Sequence, residues 1–137
     1  MPYLFPLLLL VFSTACGNPN SSNEVPEDAP FQVLSTVRGE PNEVGIIEAH
    51  YMIYVEDAKT VSMDHLGKIL EDYFLEENEA RTLYIVDDPI RKLAHDGMIN
   101  ASKSQLLAAS RQARKIADGM VYITIAGTVV YNKDEIY

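Results

Sequence analysis

A change of composition near residue 30 limits how much of this chain can form a folded core. The segment 17–30, GNPNSSNEVPEDAP, holds three prolines, three asparagines and two serines, and Val25 is its only large apolar side chain. Such a composition buries too little apolar surface to offset the entropy lost on ordering, so it predicts a flexible tether. The 107 residues that follow, 31–137, have the size of one typical domain.

The chain before this tether has the pattern of an export signal. Residues 4–12 form an apolar run that is interrupted only by Pro6. The run is too short for a transmembrane helix, which needs roughly 20 apolar residues, and it has the length of the hydrophobic part of a signal peptide. Small residues at 13–15 precede Cys16. We therefore expect residues 1–15 to be removed as a signal peptide.

The residues FSTAC, followed by GNPNSSN, resemble the lipobox of bacterial lipoproteins. The resemblance covers residues 1–16 and the tether 16–30. It implies that Cys16 carries a diacylglyceryl group on its thiol and an acyl chain such as palmitate on its amino group. It also implies a place in the bacterial cell envelope, at the outer membrane or on the periplasmic side of the inner membrane. Cys16 is the only cysteine, so no intramolecular disulfide can form.

The charge balance argues against nucleic-acid binding. The chain has a formal net charge of −9, and the part after residue 30 has 17 acidic and 11 basic side chains, a balance of −6. A negative surface repels nucleic-acid phosphates and anionic lipid headgroups. We therefore expect the chain to reach a membrane through lipidated Cys16, and any macromolecular partner to be an envelope protein.

Two strands are expected early in the domain. The first covers 31–38, and the turn residues GEPNEVG separate it from the second, 46–55, which is rich in β-branched and aromatic side chains. Side chains alternate between the two faces of a strand. The set predicted to face the core is Ile47, Ala49, Tyr51, Ile53 and Val55. The set predicted to face outward is Ile46, Glu48, His50, Met52 and Tyr54.

A helix and a third strand follow. The helix is predicted from the N-cap Ser62 to Glu79, because apolar residues recur there at three- and four-residue spacings. The strand is predicted over 81–89, RTLYIVDDP, where two aspartates and a proline end it.

The last part of the chain predicts a second helix and one or two strands. Ser102 and Gln105 have the spacing of a capping box at the start of a helix, and Gly119 is a natural stop. The segment 120–131 fits either one bulged strand or a hairpin around Gly127.

The resulting element order is β-β-α-β-α-β, with one more strand if the last segment is a hairpin. Strands and helices in this order indicate an α+β protein. We expect a two-layer sandwich with both helices on one face of a small, mainly antiparallel sheet.

The second strand carries the first candidate for metal or substrate binding. Glu48 and His50 are two residues apart on one face, so both side chains can reach one metal ion or substrate. The alternative is a solvent-exposed pair without a special role, because two ligands alone make a weak metal site.

The third strand ends in the second candidate, formed by Asp87, Asp88, His95 and Asp96. Carboxylates at the end of a strand are typical of cation or phosphoacceptor sites in parallel sheets. The alternative is that these residues form turns and hydrogen-bond the backbone.

A third group consists of Met52 and Tyr54, which we expect to contact a partner if their strand face is exposed; the alternative is scattered amphipathic surface residues. The sequence has no motif of a nucleophilic enzyme or zinc protease, and no cofactor is expected. The first hypothesis is therefore a tethered binding or accessory module. The alternatives are a small metal-binding or hydrolytic domain that uses the region 87–96, and a structural surface protein.

Overall fold

The computed structural model describes residues 29–74, 78–124 and 126–136. Over these residues the chain forms five strands, two α-helices and one 3₁₀ helix. In chain order they are β1 (Gln32–Arg38), β2 (Ile47–Tyr54), α1 (Met63–Glu71), β3 (Glu79–Val86), α2 (Lys103–Ile116), β4 (Gly119–Thr124), β5 (Gly127–Asn132) and the 3₁₀ helix Lys133–Glu135. The α+β class is confirmed. The expected signal peptide, Cys16 and the tether up to residue 28 lie outside the described residues.

The strands form one mixed sheet in the order β1-β2-β3-β4-β5. The pairs β1–β2, β3–β4 and β4–β5 are antiparallel, and β2–β3 is parallel, with α1 in the connection. The sheet is therefore mainly antiparallel, as predicted. The last segment is a hairpin in which Thr124 pairs with Gly127, whose φ of 144° favours a residue without a Cβ.

The two helices lie on opposite faces of the sheet, so the prediction of both helices on one face is wrong. α1 packs with Tyr51 and Ile53 in one hydrophobic cluster, and α2 packs with Met52 and Tyr84 in another. Met52 and Ile53 are consecutive, point to opposite faces of β2 and are both 0 % exposed. A single layer of helices would leave one of these apolar faces in water, which costs free energy.

The helix starts agree with the sequence signals. The side chains of Ser62 and Ser102 each accept a hydrogen bond from the first turn of their helix, and Gln105 completes the capping box of α2. α1 ends at Glu71, earlier than predicted, and Glu79, the predicted end of the helix, instead pairs with Ile47 in the parallel register and belongs to β3. Among the described residues, no helix has the length and apolar character needed to cross a membrane.

The segment between β3 and α2 covers the outer edge of β1. Gly97 N donates to Thr36 O at 2.8 Å, and Arg38 N donates to Met98 O at 3.0 Å. These bonds satisfy backbone groups that an edge strand otherwise presents to other chains.

Candidate functional site

A groove lies between α2 and the adjoining sheet face. α2 packs on β1, β2 and β3, and the sheet continues beyond it into β4 and β5. The groove has a volume of about 580 Å³, within the range of about 300–1,000 Å³ that is usual for small-molecule sites. The helix contributes Lys103, Leu106, Leu107, Ser110 and Arg114, which recur every three or four residues and so share one side of α2. The sheet contributes Glu48, His50, Thr82, Tyr84, Met120, Tyr122 and Tyr131.

A chain of hydrogen bonds crosses the groove from β2 to α2. Glu48 Oε2 lies 2.7 Å from His50 Nε2, and His50 Nδ1 lies 2.9 Å from the Tyr84 hydroxyl. The Tyr84 hydroxyl is in turn 3.0 Å from Ser110 Oγ. The His50 and Tyr84 rings stack with their centroids 5.7 Å apart. The imidazole is therefore held between two strands and has a fixed orientation.

Burial of His50 favours its neutral form. Loss of solvent lowers the pKa of the imidazole below 6.5, the hydrogen bond and charge of Glu48 oppose this shift, and the charge of Arg114 adds to it. In a neutral imidazole one nitrogen donates and the other accepts. Because a carboxylate only accepts, Nε2–H donates to Glu48, and Nδ1 is the acceptor that faces the Tyr84 hydroxyl.

Two cationic side chains line the groove without an acidic partner. Among the described residues, neither Lys103 nor Arg114 forms an ion pair. Burial raises the pKa of Tyr84, and the nearby Ser110 and Arg114 oppose the shift. Since Arg114 acts on both Tyr84 and His50, its positive charge lies beside the hydrogen-bonded chain.

The structure brings Glu48 and His50 together, as their spacing on one strand face predicts. They contact each other directly, and Glu48 stays 58 % exposed in its side chain while His50 is buried. Within the described part of the chain, no group of three or more His, Cys, Asp or Glu side chains is arranged to hold a metal ion.

The second candidate group is divided among separate contacts. Asp87 pairs with Lys59 at 3.2 Å, and Asp88 Oδ1 accepts from the backbone of Ile90 at 3.1 Å. Asp96 Oδ1 accepts from Thr36 N at 3.0 Å, on the edge of β1. His95 occupies a turn with a φ of 64°. These contacts are those of turn-forming residues, and none of the four lines the groove.

Met52 does not offer a contact surface. It is 0 % exposed beneath α2, and Tyr54 is half-buried. The prediction that these residues form an exposed partner site is therefore wrong for Met52, because α2 covers the face that was expected to be open.

The sequence analysis did not identify Tyr84, Ser110 and Arg114 as site residues. Ser110 and Arg114 are four residues apart and flank the buried stripe of α2, so a helical projection would have placed them together. No local signal singles out Tyr84, whose contact with His50 depends on the parallel register of β2 and β3.

A second group of charges lies at the carboxyl end of β3, where Asp118 N donates to Ile85 O. Asp118 is 9 % exposed, and its Oδ2 has no hydrogen-bond partner among the described residues. Lys133 Nζ lies 3.9 Å from its other oxygen. Burial and the charge of Asp87 raise the pKa of Asp118, while Lys133 and Lys59 oppose the shift.

Comparison of the chain with protein-family models, with curated proteins and with solved structures finds no match.

Proposed function

We propose that this chain is a small binding module of the bacterial cell envelope, held at a membrane by lipidated Cys16, and that it binds a small ligand in the groove beside α2. The observation that carries the binding function is the groove itself. It combines a suitable volume with several hydroxyl groups, a fixed imidazole and two cations that form no ion pair within the described part of the chain.

The contacts of His50 favour binding over hydrolysis. A nucleophilic mechanism needs a base within hydrogen-bond distance of the nucleophile. Both ring nitrogens of His50 are engaged, one by Glu48 and the other by Tyr84. The Ser110 hydroxyl contacts Tyr84 rather than His50. The hydrogen-bonded chain therefore serves to hold Ser110 in position on the groove wall, through the buried Tyr84.

The tether supports the proposed anchoring. Its composition, three prolines with polar residues over 17–30, suits a spacer between a bilayer and a domain. Two or more acyl chains on Cys16 would anchor the chain stably, at about 0.8 kcal/mol per buried methylene.

Binding in the groove is tested with the full chain in zwitterionic nanodiscs, by recording amide NMR spectra during titration with a set of small fragments of varied charge. We expect the shifted resonances to cluster at groove residues, including Ser110 and Tyr122. The Arg114→Ala variant should weaken these shifts, and Arg111→Ala, an exposed arginine on α2 that does not line the groove, should leave them unchanged. Shifts that are absent, or that cluster elsewhere, would reject the groove as the binding site.

Anchoring is tested separately by expressing the wild-type chain and the Cys16→Ser variant in a bacterial host. The wild type should fractionate with membranes and carry lipid mass on a terminal peptide that begins at Cys16, and the variant should be released. A native product that begins at Met1 with an unmodified thiol would overturn the anchoring proposal while leaving groove binding open to its own test.

A further inference from the structure

The charge of the groove differs in sign from that of the domain around it. The region after residue 30 has a net charge of −6. The groove is lined by two cations, Lys103 and Arg114, and by one acid, Glu48, so its net charge is +1 with His50 neutral. A local positive region in an acidic protein concentrates anions and repels cations. A negatively charged ligand therefore complements the charge of this groove.

The chemistry next to Arg114 favours a carboxylate. The guanidinium carries several donors in a planar fork that matches the two oxygens of a carboxylate. The Ser110 hydroxyl lies beside it on the groove wall and can also donate. An anion placed here therefore meets two donors of α2, the Arg114 guanidinium and the Ser110 hydroxyl.

The remainder of the groove is apolar and partly aromatic. Leu107 is 48 % exposed and Tyr122 is 37 % exposed, although both are large apolar side chains. Tyr131 and Met120 complete this part of the lining. The aromatic ring of a tyrosine packs favourably against another flat ring. Leu107 precedes Arg114 by two helical turns, a distance of about 10 Å along the helix.

We infer that the groove takes a small organic carboxylate with a flat apolar ring, its carboxylate on Arg114 and its ring against Tyr122 and Leu107. This inference rests on the proposed binding function and specifies the ligand class. It also assigns a role in ligand specificity to Arg114, whose side chain lies beside the hydrogen-bonded chain of His50 and Tyr84.

The experiment compares four probes by NMR titration of the full chain in zwitterionic nanodiscs. They are 3-phenylpropionate, its neutral analogue 3-phenylpropanol, its cationic analogue 3-phenylpropylamine, and acetate, which has the charge without the ring. We expect 3-phenylpropionate to bind at least about tenfold more tightly than each of the others, as one charge-assisted hydrogen bond provides.

Four variants test where the carboxylate and the ring of the ligand bind. Arg114→Ala should weaken 3-phenylpropionate about tenfold or more and leave 3-phenylpropanol unchanged, and Arg114→Lys should restore part of the loss. Leu107→Ser should weaken both ring probes and leave acetate unchanged. Arg111→Ala is the matched control and should alter none of them. All three positions are exposed, so an unchanged spectrum without probe confirms the folding of each of the four variants.

Each other outcome rejects a defined statement. Equal or tighter binding of the alcohol or the amine in the groove would overturn the carboxylate class. The carboxylate class is also rejected if fragments of a different chemistry shift the resonances of the groove residues and none of the four probes does. In these cases the binding function stands. If no small molecule of any class shifts the groove residues, the proposed function fails and this inference fails with it.

Discussion

At the scale of single residues, His50 is a buried imidazole whose protonation depends on two neighbours of opposite charge. We predict that Glu48→Gln lowers the pKa of His50 further, because the charge and hydrogen bond of Glu48 favour the imidazolium. Arg114→Ala should raise the same pKa, because its charge opposes protonation. A pH titration of the His50 ring signals by NMR measures both changes. Arg111→Ala is the control, and shifts in the reverse directions would contradict the proposed contacts.

Asp118 provides a second prediction at this scale, concerning pH and stability. Its pKa is raised in the folded state, so the unfolded chain releases this proton at a lower pH. Its contribution to stability is therefore present below about pH 4 and is lost as the pH rises through the folded pKa. Asp118→Asn should remove this loss, so the stability of the variant relative to the wild type should increase as the pH rises above about 4. Urea unfolding of both proteins at several pH values tests this prediction. A difference in the free energy of unfolding that does not change with pH would reject it.

At the scale of elements, a buried ionic cluster joins β1, β2 and β3. Glu79, whose side chain is 0 % exposed, accepts from Arg81 Nε at 2.8 Å, Arg38 at 2.6 Å and the Tyr51 hydroxyl at 2.7 Å. Burial and Glu79 raise the pKa of Tyr51 to about 12.

Glu79→Gln removes the carboxylate from this cluster. The guanidinium of Arg81, also 0 % exposed, then loses a buried countercharge. We expect a cost of about 3–5 kcal/mol in the free energy of unfolding, measured with urea. Glu48→Gln is the matched control: its side chain is 58 % exposed, and we expect a cost below about 1 kcal/mol. Equal losses in the two variants would contradict a structural role for the cluster.

The contact between α1 and β5 depends on a residue without a side chain. A Cβ at Gly67 would lie 2.6 Å from Val130 Cγ1. Gly67→Ala would stabilise an exposed helix by about 1 kcal/mol, but here we expect a net loss of about 1–3 kcal/mol, because the extra methyl group overpacks the interface. In a Val130→Ala background the same change should cost less or be favourable. Thermal unfolding of the four proteins measures this coupling, and additive effects would argue against close packing.

At the scale of the whole molecule, α1, the sheet and α2 form three layers. One side of α2 is buried against the sheet, and another side lines the groove. Leu106 is 6 % exposed and Leu107 is 48 % exposed. Leu106→Ala should therefore destabilise the chain by about 2–5 kcal/mol, and Leu107→Ala by no more than about 0.5 kcal/mol. Urea unfolding of this pair tests the layering, and comparable losses would mean that the groove side of α2 is packed as tightly as the core.

The sequence predicted the class of the fold better than its layers. The strand and helix order, both N-caps and the mainly antiparallel sheet follow from periodicity and capping residues, and all are present. Alternation also placed Glu48 and His50 on one face. It did not reveal that His50 and Met52, two of the residues predicted to face outward, are buried, because the pattern of a single strand does not determine what packs against it.

The sequence by itself determined what depends on near neighbours along the chain: where helices start, which segments are strands, and that the charge is negative. Only the tertiary structure decided which helix covers which face, and hence the groove. The contacts of the site join residues 34 positions apart, His50 and Tyr84, and 26 positions apart, Tyr84 and Ser110. Such contacts arise from strand register and from burying both faces of β2, which are properties of the assembled sheet and not of any local segment.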